Sequence, residues 1–301
     1  MKDHQLKALV QVAEQGSIRG AARALHLSQS ALTKALRELE ADLGAELLVR
    51  SYKGVEFTPA GQALLMRARL ALSTLDKARD EIRWLRGGAG IQVTAGVTPA
   101  IAATALPRVL NEFEREQPDA SLTLVEGMLT NVLPGLMEGR IDFAIAAAEP
   151  EGLPYEIAFE PLARIRAEPA ARQGHPLLTA SSWSQMAEAR WVLNLASGSL
   201  AQQLVAWLGQ QNITLLRQPV RCDSPTLMTE LMRRTDLIGF GPRILFQDSM
   251  FGQGLARFDA LPTFPLITLG LLKLKGVPLH PGAQRLATLF MRHIAALSHQ
   301  G

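Results

Sequence analysis

QGSIRGAARALHLSQSALTKALRELEADL, residues 15–43, carries the local signals of two helices joined by a tight turn. Gly16 suits the left-handed position that closes a preceding helix, and Ser17 can cap the next, whose apolar residues Ile18, Ala21, Ala22 and Leu25 recur at three and four. His26 and Leu27 form the turn, Ser28 is the following cap, and a longer helix then places Ala31, Leu32, Ala35, Leu36, Leu39 and Leu43 on one side before Gly44 ends it. The opposite side carries Gln29, Ser30, Thr33, Lys34 and Arg37. Amides, hydroxyls and cations in that order suit a recognition helix: its first turns meet base edges, and the cations behind them meet phosphates. A solvated amphipathic helix would carry the same residue types, but the two tight turns, three caps and small residues between the helices favour a helix-turn-helix.

Outward from this stretch, the N-terminal side predicts a helix from about Asp3 to Gln15 with a stripe of Leu6, Leu9, Val10 and Ala13. The C-terminal side, AELLVRSYKGVEFTPAG, reads as a hairpin, with Leu47 to Val49 in one strand, Val55 and Phe57 in the other, and a turn over Ser51 to Gly54. Arg50, Tyr52 and Lys53 at its tip have the chemistry of a wing that lies along phosphates; a solvated charged turn is the alternative, even with it for Tyr52. Thr58 and Pro59 open a long helix to about Leu85, with Leu65, Ala68, Leu72, Leu75 and Ile82 forming a heptad-like seam. Pairing with a second copy accounts for the seam, and folding back onto its own domain would do so as well.

The glycines at 87, 88 and 90 mark a linker. Beyond it strands and helices alternate: IQVTAGV and a helix from Pro99, SLTLVEG and a helix to Met137, then IDFAIAA; a second set runs from near Ile157 through WVLNL, PVRC and DLIGFG. LITLGLLKL and a helix from about Pro281 to Leu297 close the chain. This rhythm predicts two α/β lobes built on parallel sheets, with a ligand at the C-terminal strand ends in the crevice between them. Thr98 with Pro99, Thr130, Ser197 or Ser199, and Ser224 with Pro225 stand at strand-to-helix junctions, where hydroxyls and free N–H groups suit a small anion. Local capping explains any one of them equally well.

Composition sets limits. With 301 residues and 48% hydrophobic content the chain can bury a large core, and its single cysteine, Cys222, forms no internal disulfide and fits a reducing cytoplasm. No secretory or membrane segment is expected. The net charge of +3 divides unevenly: residues 1–90 hold 14 Lys and Arg against 10 Asp and Glu, and the remainder 17 against 18. The basic excess therefore lies with the helix-turn-helix, a modest footprint compatible with a nucleic-acid partner but not by itself proof of one. The six histidines show no metal-ligand spacing, and no GxSxG elbow, phosphate loop or complete dinucleotide fingerprint occurs. An enzyme whose α/β region is catalytic and whose winged domain is autoregulatory is the alternative from a different class.

Together these residues resemble the LysR-type transcriptional regulators over nearly the whole chain, most closely in GSIRGAARALHLSQSALTKALRELEADLGAELLVRSYKGVEFTPAG. The resemblance implies an α/β protein with an α-rich winged helix-turn-helix over residues 1–58, a dimerising linker helix over 59–86, and a hinge at 87–90. It further implies an effector-binding domain over 91–301, similar to type II periplasmic binding proteins, with lobe I about 91–160 and 267–301 and lobe II about 161–266. No catalytic or metal site and no cofactor is implied. The partners would be double-stranded promoter DNA, a small-molecule inducer and further copies of the chain, assembled as a dimer of dimers in the cytoplasm. By position, Ser28, Gln29, Ser30, Thr33, Lys34, Arg37, Arg50 and Lys53 match the DNA-contacting set. Thr98, Pro99, Ala100, Thr130, Ala147, Ser197 and Ser224 match positions lining the inducer cleft. Three residues depart from the usual pattern: Ser30 where proline is common, Leu48 where Phe is common, and Phe57 where Leu is common, the last two resembling a volume exchange. The charged opening of RIRAEPAARQGHPL is also unusual for a buried strand.

Overall fold

The computed structural model describes residues 1–51, 54–86 and 90–297. The chain divides into two compact units, Met1–Gly88 with Met137–Arg140, and Ala89–Leu136 with Ile141–Gly301.

In the first unit, α1 (Asp3–Gln15), α2 (Ile18–Ala24) and α3 (Gln29–Leu43) precede a two-stranded antiparallel wing of β1 (Leu48–Ser51) and β2 (Gly54–Phe57), and α4 (Pro59–Leu85) follows. The boundaries follow from local chemistry. Gly16 and Gly44 take left-handed conformations with φ 65° and 63°, where a Cβ would be strained. The hydroxyls of Ser17, Ser28 and Thr58 accept from the N–H groups of Gly20, Ala31 and Gly61. Leu6, Leu9, Val12, Ala21, Leu32, Leu36, Leu39 and Leu47 form the shared core.

Some expected positions move. On α1 the buried set is Gln5, Leu6, Ala8, Leu9 and Val12, and Val10 and Ala13 are only half-buried. On α3 only Leu32, Leu36 and Leu39 are buried; Ala31 and Leu43 face outward at the two ends, where no other element covers the helix. Leu48 and Phe57 are direct partners across the wing ladder and both pack on the helical core, so the larger ring on one strand offsets the smaller chain on the other.

The second unit holds two five-stranded sheets. Its first lobe runs through β3 (Gln92–Val97), α5 (Pro99–Thr104), α6 (Leu106–Glu116), β4 (Ser121–Glu126), α7 (Leu129–Met137), β5 (Phe143–Ala147) and β6 (Ile157–Ile165). The second comprises β7 (Ala167–Arg172), β8 (Arg190–Leu193), α8 (Leu200–Gln210), β9 (Val220–Arg221), α9 (Pro225–Arg234), β10 (Leu237–Pro242), α10 (Arg243–Phe246) and β11 (Leu255–Arg257). The chain then returns to the first sheet as β12 (Ile267–Leu274) and ends in α11 (Pro281–Leu297).

The orders are β4-β3-β5-β12-β6 and β11-β7-β10-β8-β9. Both sheets are mixed rather than parallel. β3 runs parallel to β4 and β5, but β12 is antiparallel to β5 and β6 because the returning strand enters from the other lobe. In the second sheet, β8 is parallel to β9 and β10, while β7 is antiparallel to β10 and β11. The lobe boundary also moves, from residue 160 to Arg166, since β6 stays in the first sheet through Ile165. This explains the charged opening of RIRAEPAAR: Arg164 and Arg166 lie at the crossing between sheets, where both are exposed, and the buried strand begins only at Ala167.

Candidate functional site

Two surfaces carry the residues singled out by the sequence, one in each unit. On the first, Gln29, Ser30, Thr33, Lys34, Arg37, Glu38 and Ala41 line a shallow surface along α3. Gln29, Ser30, Lys34 and Arg37 are exposed and Thr33 half-exposed. The backbone determines this: burying Leu32, Leu36 and Leu39 at spacings of four and three turns positions 29, 30, 33, 34 and 37 outward. Ser28 Oγ accepts from Ala31 N–H and lies 3.0 Å from Ser30 Oγ, so these two hydroxyls form a pair at the helix start. Thr33 Oγ1 donates to the Gln29 carbonyl at 2.8 Å, which leaves its lone pairs outward. Lys34 and Glu38 are 3.9 Å apart, a loose exposed pair contributing little to stability, so the ammonium is free to meet another anion.

The wing is anchored from α3 by a residue that sequence reading did not single out. Glu40 Oε1 accepts from the N–H groups of Leu47 at 2.8 Å and Leu48 at 3.2 Å. A lone Glu within a helix gives no sequence signal for that role. Arg50 lies on β1, but its side chain, together with Tyr52 and Lys53, falls outside the described residues.

In the second unit a cavity of about 130 Å³ lies at the C-terminal ends of the parallel strands. Thr98, Pro99, Ala100, Thr130 and Ala147 all reach it, from the ends of β3, β4 and β5. Ser197 and Ser224 do not. Ser197 is exposed on its loop, and Ser199, two residues on, reaches the cavity instead. Ser224 turns its Oγ to the Leu227 N–H at 3.4 Å as a cap, and Pro225 reaches the cavity in its place.

The rest of the lining is largely apolar, with Met128, Ile165, Met228, Met232, Phe240 and Phe246 prominent. Sequence reading missed these because their side chains read as ordinary core; only the pairing of the lobes turns them toward one space. Among the described residues, no Lys, Arg, His, Asp or Glu lines the cavity. The polar lining consists of Thr98, Thr130, Asn194, Ser199 and Thr229. Thr98 stands at the cap position of α5, yet its hydroxyl makes no cap bond, unlike those of Ser199 and Ser224. It is the hydroxyl least committed to local structure. Such a site accepts a small, mostly apolar molecule with a limited number of hydrogen-bonding atoms.

The two buried histidines among the described residues serve the frame. His175 Nδ1 accepts from Leu177 N–H at 3.1 Å in a turn, and His280 Nδ1 accepts from Ala283 N–H at 3.3 Å at the start of α11. Cys222 is half-buried against the Met228 and Met232 cluster.

The chain is similar to known proteins in family and fold. The LysR substrate binding domain family matches residues 86–295, and the bacterial regulatory helix-turn-helix proteins of the lysR family match residues 4–62. Similar sequences include the HTH-type transcriptional regulator TdcA of Escherichia coli strain K12, 28% identical over 79% of this chain and 76% of its own length. PcaQ of Agrobacterium fabrum, also an HTH-type transcriptional regulator, is 31% identical over 60% of this chain and 58% of its own. The crystal structure of full-length CbnR complexed with its target DNA has a similar fold, with a TM-score of 0.67 over 97% of this chain and 100% of that one, at 22% identity.

Proposed function

The chain belongs to the LysR family of transcriptional regulators, with a DNA-binding helix-turn-helix and an effector-binding domain, and from that premise we propose that α3 reads promoter bases through Gln29, Ser30 and Thr33 while the cavity between the lobes takes the controlling molecule. It is a regulator and not an enzyme, as are its relatives. Ser28 at the cap of α3 and Lys34 and Arg37 on it, with Arg50 and Lys53 of the wing, hold the helix against the phosphate backbone. Binding a ligand across the two lobes favours whichever lobe spacing the ligand fits better, and the shift cannot exceed its differential affinity for the two arrangements.

Two copies pair through α4 and place two recognition helices on a two-fold site, and two such pairs form a tetramer; the protein works in the cytoplasm, where its promoter DNA lies. Support for the pairing comes from α4 itself. Leu64, Ala68 and Leu72 pack on the winged core, so the near half of the helix folds onto its own domain. Farther along, Leu75, Ile82 and Leu85 are 48%, 58% and 68% exposed, an apolar surface on a helix of 27 residues.

The observation that carries the effector reading is the cavity at the strand ends, which collects Thr98, Thr130 and Ala147 from separate strands of one lobe and Asn194 and Ser199 from the other. The effector is a small organic acid or related molecule whose polar end meets Thr98 and whose body rests on the methionines. The test is a thermal-unfolding screen of small carboxylic acids and their amides on the full chain, followed by titration of Thr98→Val with any hit. Loss of one hydrogen bond weakens binding about twofold to tenfold, with DNA affinity in the absence of the hit unchanged. Equal affinity for wild type and variant removes Thr98 from the site.

A further inference from the structure

Asn194 follows β8 and is buried, 5% exposed, at the wall of the cavity. Its Oδ1 accepts from Ala196 N–H at 3.0 Å, which fixes the amide, because a flipped amide would set N–H against N–H. Nδ2 therefore points the other way, and there it donates to Met128 Sδ at 2.8 Å. A thioether sulfur is a weak acceptor, so a buried amide holds a partner much poorer than a carbonyl or carboxylate oxygen.

Met128 belongs to the other lobe, just before α7. It packs on the cluster containing Val192, Met228 and Met232, so this contact crosses the cleft. Apart from Thr98, which makes no cap bond, the hydroxyls of the lining are committed elsewhere. Ser199 Oγ donates to the Asn194 carbonyl at 2.6 Å, Thr130 Oγ1 to Asn131 Oδ1 at 3.1 Å, and Thr229 Oγ1 to the Pro225 carbonyl at 2.8 Å. Each offers a ligand only lone pairs. The Asn194 amide is thus a buried donor directed into the cavity and covered by a side chain that can move.

We propose that Asn194 selects the effector and that Met128 is a displaceable stopper upon it. The incoming molecule, an apolar body whose acid group meets Thr98 through one oxygen, gives its other oxygen to the Nδ2 donor in place of the sulfur, and the unbranched methionine swings aside. The exchange removes a contact between the lobes and replaces it with contacts through the ligand, so occupancy and lobe spacing change together. This inference rests on the cavity being the effector site.

The test uses the full chain and straight-chain carboxylates from acetate to octanoate, with hexylamine as a probe that has donors but no oxygen, and calorimetric affinities as the readout. Hexanoate binds the wild type, and binds Met128→Leu about twofold to tenfold more tightly because the amide has lost its sulfur partner. Asn194→Asp keeps the acceptor for Ala196 but presents an oxygen to the cavity, so it loses hexanoate and gains hexylamine. If hexanoate binds wild type and Asn194→Asp alike, and Thr98→Trp, which fills the cavity, abolishes it, the stopper is wrong and the cleft reading stands. If Asn194→Asp does not fold, unchanged affinity in Met128→Leu overturns the proposal by itself. If no carboxylate binds wild type or Met128→Leu, both the stopper and the acid-binding cleft fall.

Discussion

His26 holds a backbone conformation that glycine usually occupies. With φ 55°, it closes α2 in a double-bonded cap in which Leu27 N–H reaches the Ala22 carbonyl and His26 N–H reaches the Arg23 carbonyl. This cap sets the angle at which α3 leaves the turn, and hence where Gln29 points. Glu168 shows the opposite relation between residue and frame. Burial pushes its carboxyl above the ordinary value of 4.5, while Arg243 and Arg257 pull it down and do not win. The geometry agrees, since those guanidinium groups stand 4.0 and 3.6 Å away and Glu168 Oε1 has no hydrogen-bond partner among the described residues. A raised value in the folded state means that folding binds the proton more tightly than the unfolded chain does. The stabilisation is full below 4.5 and is lost as pH rises through the shifted value. Denaturation across that window should therefore show Glu168→Gln gaining stability relative to wild type as pH rises and holding a constant difference above it. A constant difference throughout would show that burial does not govern this carboxyl. None of this was legible in the sequence, where Glu168 is one charge among several; its charged neighbours come from α10, β11 and the turn after it, far along the chain.

At the scale of elements, the helix starts and stops of the N-terminal unit were legible because they are local. Ser17, Ser28, Thr58, Pro59, Gly16 and Gly44 act within a few residues of themselves, and the helices begin and end where those residues stand. The seam on α4 was legible as apolar but not in its division, since the pattern of Leu65, Ala68, Leu72, Leu75 and Ile82 does not reveal that Ala68 and Leu72 are covered by α1 and its neighbours. What remains for a second copy is the far end. Covering Leu75 and Ile82 contributes about 1.5–3 kcal/mol each, so Leu75→Ser with Ile82→Ser should raise the dimer dissociation constant by at least about a hundredfold in sedimentation. Thermal unfolding of the winged core should change little, because neither side chain belongs to it. An unchanged sedimentation profile would place the pairing surface elsewhere.

At the scale of the molecule, the order of strands and helices was legible, but the sense of the sheets was not. β12 reaches the first sheet only after the chain has built the whole second lobe, and no local signal says that it will lie between β5 and β6. The same long return creates the cavity, which explains why hydroxyls at strand ends were legible while Met128, Asn194 and Phe246 were not. The basic excess of residues 1–90 and the near neutrality of the rest match this division of labour, one part facing a polyanion and the other an effector. The exposed start of α3, as proposed, reads DNA sequence. The most direct test of that reading compares wild type with Gln29→Ala on a site selected from random duplexes by the full chain and on a scrambled duplex at the same salt. Discrimination between the two should fall by about 1–3 kcal/mol while affinity for the scrambled duplex stays the same. Equal losses on both duplexes would contradict it, and would reduce Gln29 to a contact with the backbone.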